Sequence, residues 1–270
     1  MSGAGNDFIV IDNRFYAFKA DELSTLSKDL CLRRVAIGAD GLLALEGAAS
    51  PLAAFRMIYY NADGSRGSMC GNGARCLVAY ALANGLGEKG TLMFETDVGL
   101  FKGAEAGDQI RLFVNAPDLY KENVFVDTAG RVYDFLWTGT EHVVCAVEKL
   151  DDLQVERIGL EARLARELEP NGANVNYVQV EVGGDPARTT AISVRTFEKG
   201  VEAETLACGT GAIASAVVAH KKGLIATTNV AVKMRGGTLT VGFDFEAGTY
   251  SNVFLQGPAE VVYRGTREID

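Results

Sequence analysis

Met69-Cys70-Gly71-Asn72-Gly73-Ala74-Arg75-Cys76 and, 138 residues later, Ala207-Cys208-Gly209-Thr210-Gly211-Ala212-Ile213-Ala214 share the pattern Cys-Gly-x-Gly-Ala. Each stands directly before an Ala-rich apolar run, residues 77–83 in the first and 215–219 in the second. A cysteine and two glycines ahead of such a run read as a loop feeding a helix. The glycines let successive backbone N–H groups point into one concavity, and the helix dipole adds positive potential there. Such a place holds an anion, a carboxylate for instance. A cysteine in it has its thiolate stabilised, and about 2 kcal/mol of dipole interaction corresponds to roughly 1.5 on the pH scale. One such cysteine suggests a nucleophile, whereas two suggest a pair of bases facing one substrate from opposite sides.

The surroundings of the two cysteines match as well. Residues 55–60 and 191–197 read as strands, each ending in an aromatic, and Asn61 and Glu198 follow them nine and ten residues before Cys70 and Cys208. Further strands are expected at 8–12, 42–45, 91–96, 109–114, 143–147, 175–180, 238–243, 252–256 and 259–263. Helices are expected over 20–34, with Leu23, Leu26 and Leu30 on one face, and over 158–169, stopped by Pro170-Asn171-Gly172. This is an α/β protein of the α+β type, with two pseudo-symmetric β-rich domains and an active cleft between them. Asn115-Ala116-Pro117-Asp118 breaks the pattern, which places residues 1–116 with Cys70 in one domain and 117–257 with Cys208 in the other. Residues 258–270 are expected to pack back onto the first.

Composition limits the function classes. The 270 residues are 48% hydrophobic and 23% charged, ordinary values for a globular protein. A formal net charge of −9 argues against nucleic acid and anionic membranes as partners, since both repel it at long range. No apolar stretch approaches the roughly 18 to 20 residues of a membrane span, and the N-terminal residues lack the pattern of a secretory signal. The five cysteines, an odd number in a chain of this size, fit reduced thiols and a cytoplasmic setting. Cys31, Cys76 and Cys145 fall inside expected helices or a strand and read as core. With only His142 and His220 as histidines and no Cys-x-x-Cys pair, no metal site is expected. Neither glycine stretch ends in the Gly-Lys-Ser/Thr of a phosphate loop. If a substrate carboxylate sits at both helix starts, its α-carbon lies between the thiols. One thiolate removes the α-proton while the other thiol returns a proton from the opposite face, with no cofactor required.

Gly5-Asn6-Asp7-Phe8, Gly38-Ala39-Asp40-Gly41, Asn61-Ala62-Asp63-Gly64, the two cysteine stretches, Asn174-Val175-Asn176, Gly236-Gly237 and Gly257-Pro258-Ala259 together resemble the diaminopimelate epimerase family over nearly the whole chain. The resemblance implies two domains, each a β-rich barrel around a central helix. It also implies cofactor-independent interconversion of LL- and meso-diaminopimelate, an isomerase step in lysine and peptidoglycan precursor synthesis, by a cytoplasmic homodimer acting on a small amino acid. It makes Cys70 and Cys208 the acid/base pair and assigns the carboxylate to the backbone at Gly71-Asn72 and Gly209-Thr210. Asn6, Asn61, Asn174 and Glu198 become substrate contacts, and His142 and Glu198 tune the thiols.

Departures from the family pattern bear on the substrate. Glu198-Lys199-Gly200 stands where Glu-Arg-Gly is usual, so Lys199 takes the place of the arginine that holds the far carboxylate and lacks its bidentate fork. Gly139-Thr140-Glu141-His142 replaces the frequent Gly-Asn-Pro-His, and the loop over 201–204 is one residue longer. These changes leave open another cofactor-independent racemase, acting on glutamate or a basic amino acid, and a non-catalytic amino-acid-binding protein.

Overall fold

The computed structural model describes residues 1–180 and 189–268. The chain divides into two compact units, one formed by Met1–Leu112 with the chain from Gly257 onward, the other by Phe113–Gln256.

The first unit runs β1 (Ser2–Gly3), β2 (Asn6–Asp12), α1 (Asn13–Tyr16), α2 (Ala20–Leu30), β3 (Gly41–Glu46), β4 (Phe55–Asn61), β5 (Arg66–Gly67), α3 (Gly71–Ala83), β6 (Thr91–Thr96), β7 (Gly99–Ala106) and β8 (Gln109–Phe113). β2 pairs in parallel with β3, β3 antiparallel with β4, β4 parallel with β6 and β6 antiparallel with β7. A parallel pair needs a crossover, and a helix supplies it each time: α2 between β2 and β3, α3 between β4 and β6. The second unit runs β9 (Asp118–Val126), β10 (Val132–Trp137), β11 (Glu141–Ala146), α4 (Val155–Arg163), β12 (Asn174–Val180), β13 (Ala191–Glu198), β14 (Ala203–Thr205), α5 (Gly209–Lys221), β15 (Asn229–Met234), β16 (Gly237–Glu246) and β17 (Thr249–Gly257). Its ladder from β11 through β12, β13 and β15 to β16 repeats the order parallel, antiparallel, parallel, antiparallel, with α4 and α5 as the crossovers.

In each unit the helix that follows the cysteine is the one the sheet surrounds. α3 touches β1, β2, β3, β4, β6 and β7, and α5 touches β10, β11, β12, β13, β15 and β16. That is why these two helices lack a polar face: residues 72–78 of α3 and 211–219 of α5 are buried without a break. α2 and α4 are amphipathic by contrast, with Leu23, Leu26 and Leu30 or Val155, Ile158 and Ala162 turned inward. No helix is long and apolar enough to cross a membrane among the described residues.

Several local expectations need correction. α2 stops at Leu30 and not at 34, because Arg33 leaves the helix to bond Asp7 and Asp40 and Arg34 takes a positive φ of 69°. α4 occupies Val155–Arg163, starting three residues before the expected helix and leaving its last six, 164–169, with only a 3-10 turn at Arg166–Leu168. Residues 259–263 form no ladder strand. Their contact is one bridge between Glu260 and Ser2, which leaves Val262 and Tyr263 65% and 61% exposed. β7, β9, β10, β14 and β15 are strands the sequence pattern did not announce. β7 carries no β-branched residue, and β9 is polar or exposed along most of its length.

Arg195 of β13 braces the second unit. It forks onto Glu204 at 2.7 and 2.8 Å and donates to the carbonyls of Leu150 and Leu153 ahead of α4. The Glu204 side chain is 5% exposed, with Arg235 at 3.2 Å as its other cation. Arg195→Gln is expected to destabilise the protein by roughly 2 to 4 kcal/mol, since it leaves a buried carboxylate with only the half-exposed Arg235 as cation, and a lowered urea midpoint would show this.

Candidate active site

Cys70 and Cys208 are the N-cap residues of α3 and α5, both in extended backbone conformation, with φ/ψ of −133°/118° and −121°/111°. An extended residue ahead of a helical one turns the chain so that the next N–H groups stay outside the helical ladder and available. Gly71-Asn72 and Gly209-Thr210 are those residues. The seating of each start depends on a close approach to the sheet. A Cβ at Gly73 would lie 2.9 Å from Leu43 Cδ2, and one at Gly211 would lie 2.3 Å from Asn176 Oδ1. Leu43 and Asn176 hold equivalent places, two residues beyond Gly41 in β3 and Asn174 in β12.

In the first unit a chain of hydrogen bonds stands behind the helix start. Arg75 Nη2 donates to Asn72 Oδ1 (2.8 Å), Asn72 Nδ2 to Asn6 Oδ1 (2.7 Å), and Asn6 Nδ2 to Asp40 Oδ2 (3.0 Å). Arg33 then ties Asp40 to Asp7. Asn61, the last residue of β4, accepts from Tyr59 Oη at 2.7 Å and donates to Ser65 Oγ. Tyr59 packs edge-on to Phe8 and faces Cys70. Burial and that neighbouring thiol push its phenol up, so it remains a neutral donor.

In the second unit Cys208 is 8% exposed. Gly211 N–H donates to its Sγ at 3.4 Å, Thr210 Oγ1 lies 3.5 Å away, and the Glu198 carboxylate shares a hydrogen bond with the thiol. Burial pushes this thiol up and the Glu198 charge adds to the shift. Burial also raises Glu198 itself, against hydrogen bonds from Thr205 and Cys208. His142 is fully buried in β11. Asn176, held by Thr196 Oγ1 and the Val143 carbonyl, offers Nδ2 to His142 Nδ1 at 3.1 Å, which puts the imidazole proton on Nε2, and Nε2 has no partner. Burial, then the Lys199 charge, pushes His142 down to about 3, so the ring is neutral.

Asn174 is the hinge between the two departures from the family pattern. Its Oδ1 accepts from Lys199 N–H at 2.9 Å and its Nδ2 donates to the Glu141 carbonyl at 3.1 Å, which leaves both ends of the amide engaged by backbone. The same two residues pair through their side chains, Lys199 Nζ to Glu141 Oε2 at 2.6 Å, and Thr140 and Asn171 also donate to that carboxylate.

The structure therefore gathers Cys70, Gly71, Asn72 and Asn6 in one network and places Asn61 beside it through Tyr59. It gathers Cys208, Gly209, Thr210 and Glu198 in another, with Lys199, Asn174 and His142 on the adjoining strand ends. Tyr59, Arg75, Asp40 and Asn176 were not singled out from the sequence. The signal available for Arg75 was its position inside an apolar helix, where a charge needs a reason. Cys76 and Cys145 are core residues, with burial pushing their thiols up to about 11 and about 12, and Cys31 is buried too. No group of three metal-ligating side chains occurs among the described residues.

This architecture is that of a known class of two-domain proteins: the chain superposes on a Bacillus anthracis phenazine biosynthesis protein of the PhzF family with a TM-score of 0.71 at 18% identity, over 96% of this chain and 92% of that one. The sequence narrows the class. Diaminopimelate epimerases of Chlorobaculum tepidum and Flavobacterium psychrophilum are 41% and 38% identical to it, each over 98% of this chain and 99% and 97% of their own. The diaminopimelate epimerase family model matches residues 1–111 and 135–262, and the chain belongs to that family.

The neutral, buried His142 has a consequence for stability. Its folded pKa of about 3 lies below the unfolded value near 6.5, so the unfolded chain binds the extra proton between them. The stabilisation is complete above about pH 6.5 and is lost as pH falls toward 3, by up to about 1.4 kcal/mol per pH unit. His142→Gln is expected to flatten the fall in unfolding free energy between pH 6.5 and 4.5, measured by urea titration at each pH.

Proposed function

We propose that this chain is a diaminopimelate epimerase that interconverts LL- and meso-2,6-diaminopimelate with Cys70 and Cys208 as its acid/base pair. The observation that carries the reading is the duplicated helix start: in both units a cysteine caps a buried helix and is followed by the backbone amides of its first turn. Family membership supports the substrate.

The chemistry follows from these groups. The amides of Gly71-Asn72 and Gly209-Thr210 hold the reacting carboxylate, and negative charge that develops as the α-proton leaves is stabilised by the two dipoles. One thiolate accepts the α-proton, and the other thiol donates to the opposite face of the same carbon, which inverts the centre. Glu198 holds the Cys208 proton, and the Nε2–H of His142 is a buried donor awaiting a negatively charged partner. Asn6 and Asn61 present amides to the substrate, whereas Asn174 acts by fixing Lys199 and Glu141. Lys199 takes the far carboxylate. The enzyme serves lysine and peptidoglycan precursor synthesis as a cytoplasmic homodimer.

Two experiments test this. In D2O under reducing conditions, LL-diaminopimelate should exchange its α-proton and epimerise, and Cys70→Ala and Cys208→Ala should each lower that rate by roughly 10²- to 10⁴-fold. Exchange confined to a different amino acid would discard the substrate and keep the two-thiol mechanism. Lys199 must share its charge between Glu141 and the substrate, so Glu141→Gln is expected to lower the KM for diaminopimelate roughly three- to tenfold with little change in kcat. An unchanged or raised KM would remove Lys199 from the far end.

A further inference from the structure

The two halves of the site repeat each other in backbone but not in charge. Five residues after Cys70 stands Arg75, and five after Cys208 stands Ile213. Arg75 is 0% exposed. Its guanidinium bonds the Gly71 carbonyl at 3.5 Å and Asn72 Oδ1 at 2.8 Å, its Nε has no partner, and the acidic groups coupled to it among the described residues are the thiols Cys70 and Cys76, with no carboxylate. A buried cation is costly without a counter-charge. In the second unit the signs are reversed. Glu198 stands at the strand end that corresponds to Asn61, shares a hydrogen bond with Cys208, and among the described residues no cation acts on that thiol at the α5 start, where Ile213 is buried.

We infer that Arg75 makes Cys70 the thiolate of the resting protein while Glu198 keeps Cys208 a thiol, so that the symmetric scaffold rests in one defined protonation state. Arg75 is a positioning residue. It holds Gly71 and Asn72 and supplies the charge, without itself touching substrate. The titratable groups that face Cys70 include Tyr59 from β4, whose phenol stays neutral, and Arg75 and Cys76 from α3, with burial keeping Cys76 protonated. Among the described residues the titratable group that faces Cys208 is Glu198 from β13, beside the hydroxyl of Thr210 and the Gly211 amide. Joined to the two-thiol reading above, on which this step rests, the resting form is ready for one direction. Cys70 takes the α-proton and becomes a thiol, Cys208 gives its proton to the opposite face and becomes a thiolate, and the resting state returns when a proton moves from Cys70 to Cys208 through solvent.

Residue-resolved alkylation tests the inference. The reduced protein is treated with iodoacetamide from pH 5 to 10, and the rate at each cysteine is read by mass spectrometry. The pH midpoint of each rate profile reports the thiol's titration, whereas access to reagent changes only its height. Cys70 is expected to have a midpoint at least one pH unit below that of Cys208, a tenfold difference in thiolate to thiol ratio. Arg75→Met should raise the Cys70 midpoint and leave that of Cys208 in place, Arg75→Lys should restore part of the drop, and Glu198→Gln should lower the Cys208 midpoint alone. Equal midpoints in the native protein, or a Cys208 midpoint below that of Cys70, would overturn the inference. So would an unmoved Cys70 midpoint in a folded Arg75→Met protein. If Arg75→Met does not fold, the native midpoints and the Glu198→Gln shift still decide. Epimerisation of diaminopimelate by a native protein with equal midpoints would reject this inference alone, and absence of α-proton exchange with ordered midpoints would reject the proposed reaction alone.

Discussion

The contact on which both halves of the molecule depend is the close seating of a helix start on a strand. Gly73 lies against Leu43 and Gly211 against Asn176, at separations that a side chain would not tolerate. That contact fixes where α3 and α5 begin, and the helix starts fix where the cysteines and the free amides stand. The surrounding strands follow from it. A helix pressed against a sheet at its first turn and buried along its length needs strands on every side, and in each unit six strands supply them. Apolar burial of the helices then pulls the sheet around them, at roughly 25 cal/mol per Å² of apolar surface removed from water.

The same seating is used for different ends in the two units. Behind Gly211, Asn176 donates to His142 Nδ1 and the Val143 carbonyl and accepts from Thr196 Oγ1, which joins the helix start to the buried imidazole. Behind Gly73 the corresponding residue is an aliphatic leucine, and polar connection runs instead along Asn72, Asn6 and Asp40. Duplication of a fold repeats the backbone. The polar groups behind the two helix starts differ.

Much of this was legible in the chain. The cysteine stretches, the matching strands before them and the amphipathic faces of α2 and α4 are periodic or compositional signals, and periodicity is what a sequence displays most openly. Cys76 and Cys145 read correctly as core from the elements that contain them. What was hidden was hidden for physical reasons. β9 is exposed along most of its length, so no alternation marks it. Arg33 ends α2 early through partners at Asp7 and Asp40, 26 and 7 residues away in sequence. Asn174 and Glu141 show no local hint that one amide holds two backbone segments together. Tyr59 looks like any strand aromatic until its hydroxyl is seen on Asn61 and its ring on Phe8. Side-chain networks join residues far apart in sequence, and only three dimensions reveal them.

The bridge between Ser2 and Glu260 ties together the two ends of the described chain. Ser2 N–H donates to the Glu260 carbonyl at 2.8 Å and Glu260 N–H returns to Ser2 at 2.9 Å. Beside Ser2 in β1, Gly3 backs directly onto the Asn72 carbonyl and Cys76 in the first turns of α3. During synthesis on the ribosome, the second unit is a continuous stretch that can close as soon as it emerges. The first unit waits, with its helix start made early, for a strap that follows the whole second unit in sequence. Vectorial synthesis therefore delays completion of the Cys70 half until the whole of the second unit has left the exit tunnel.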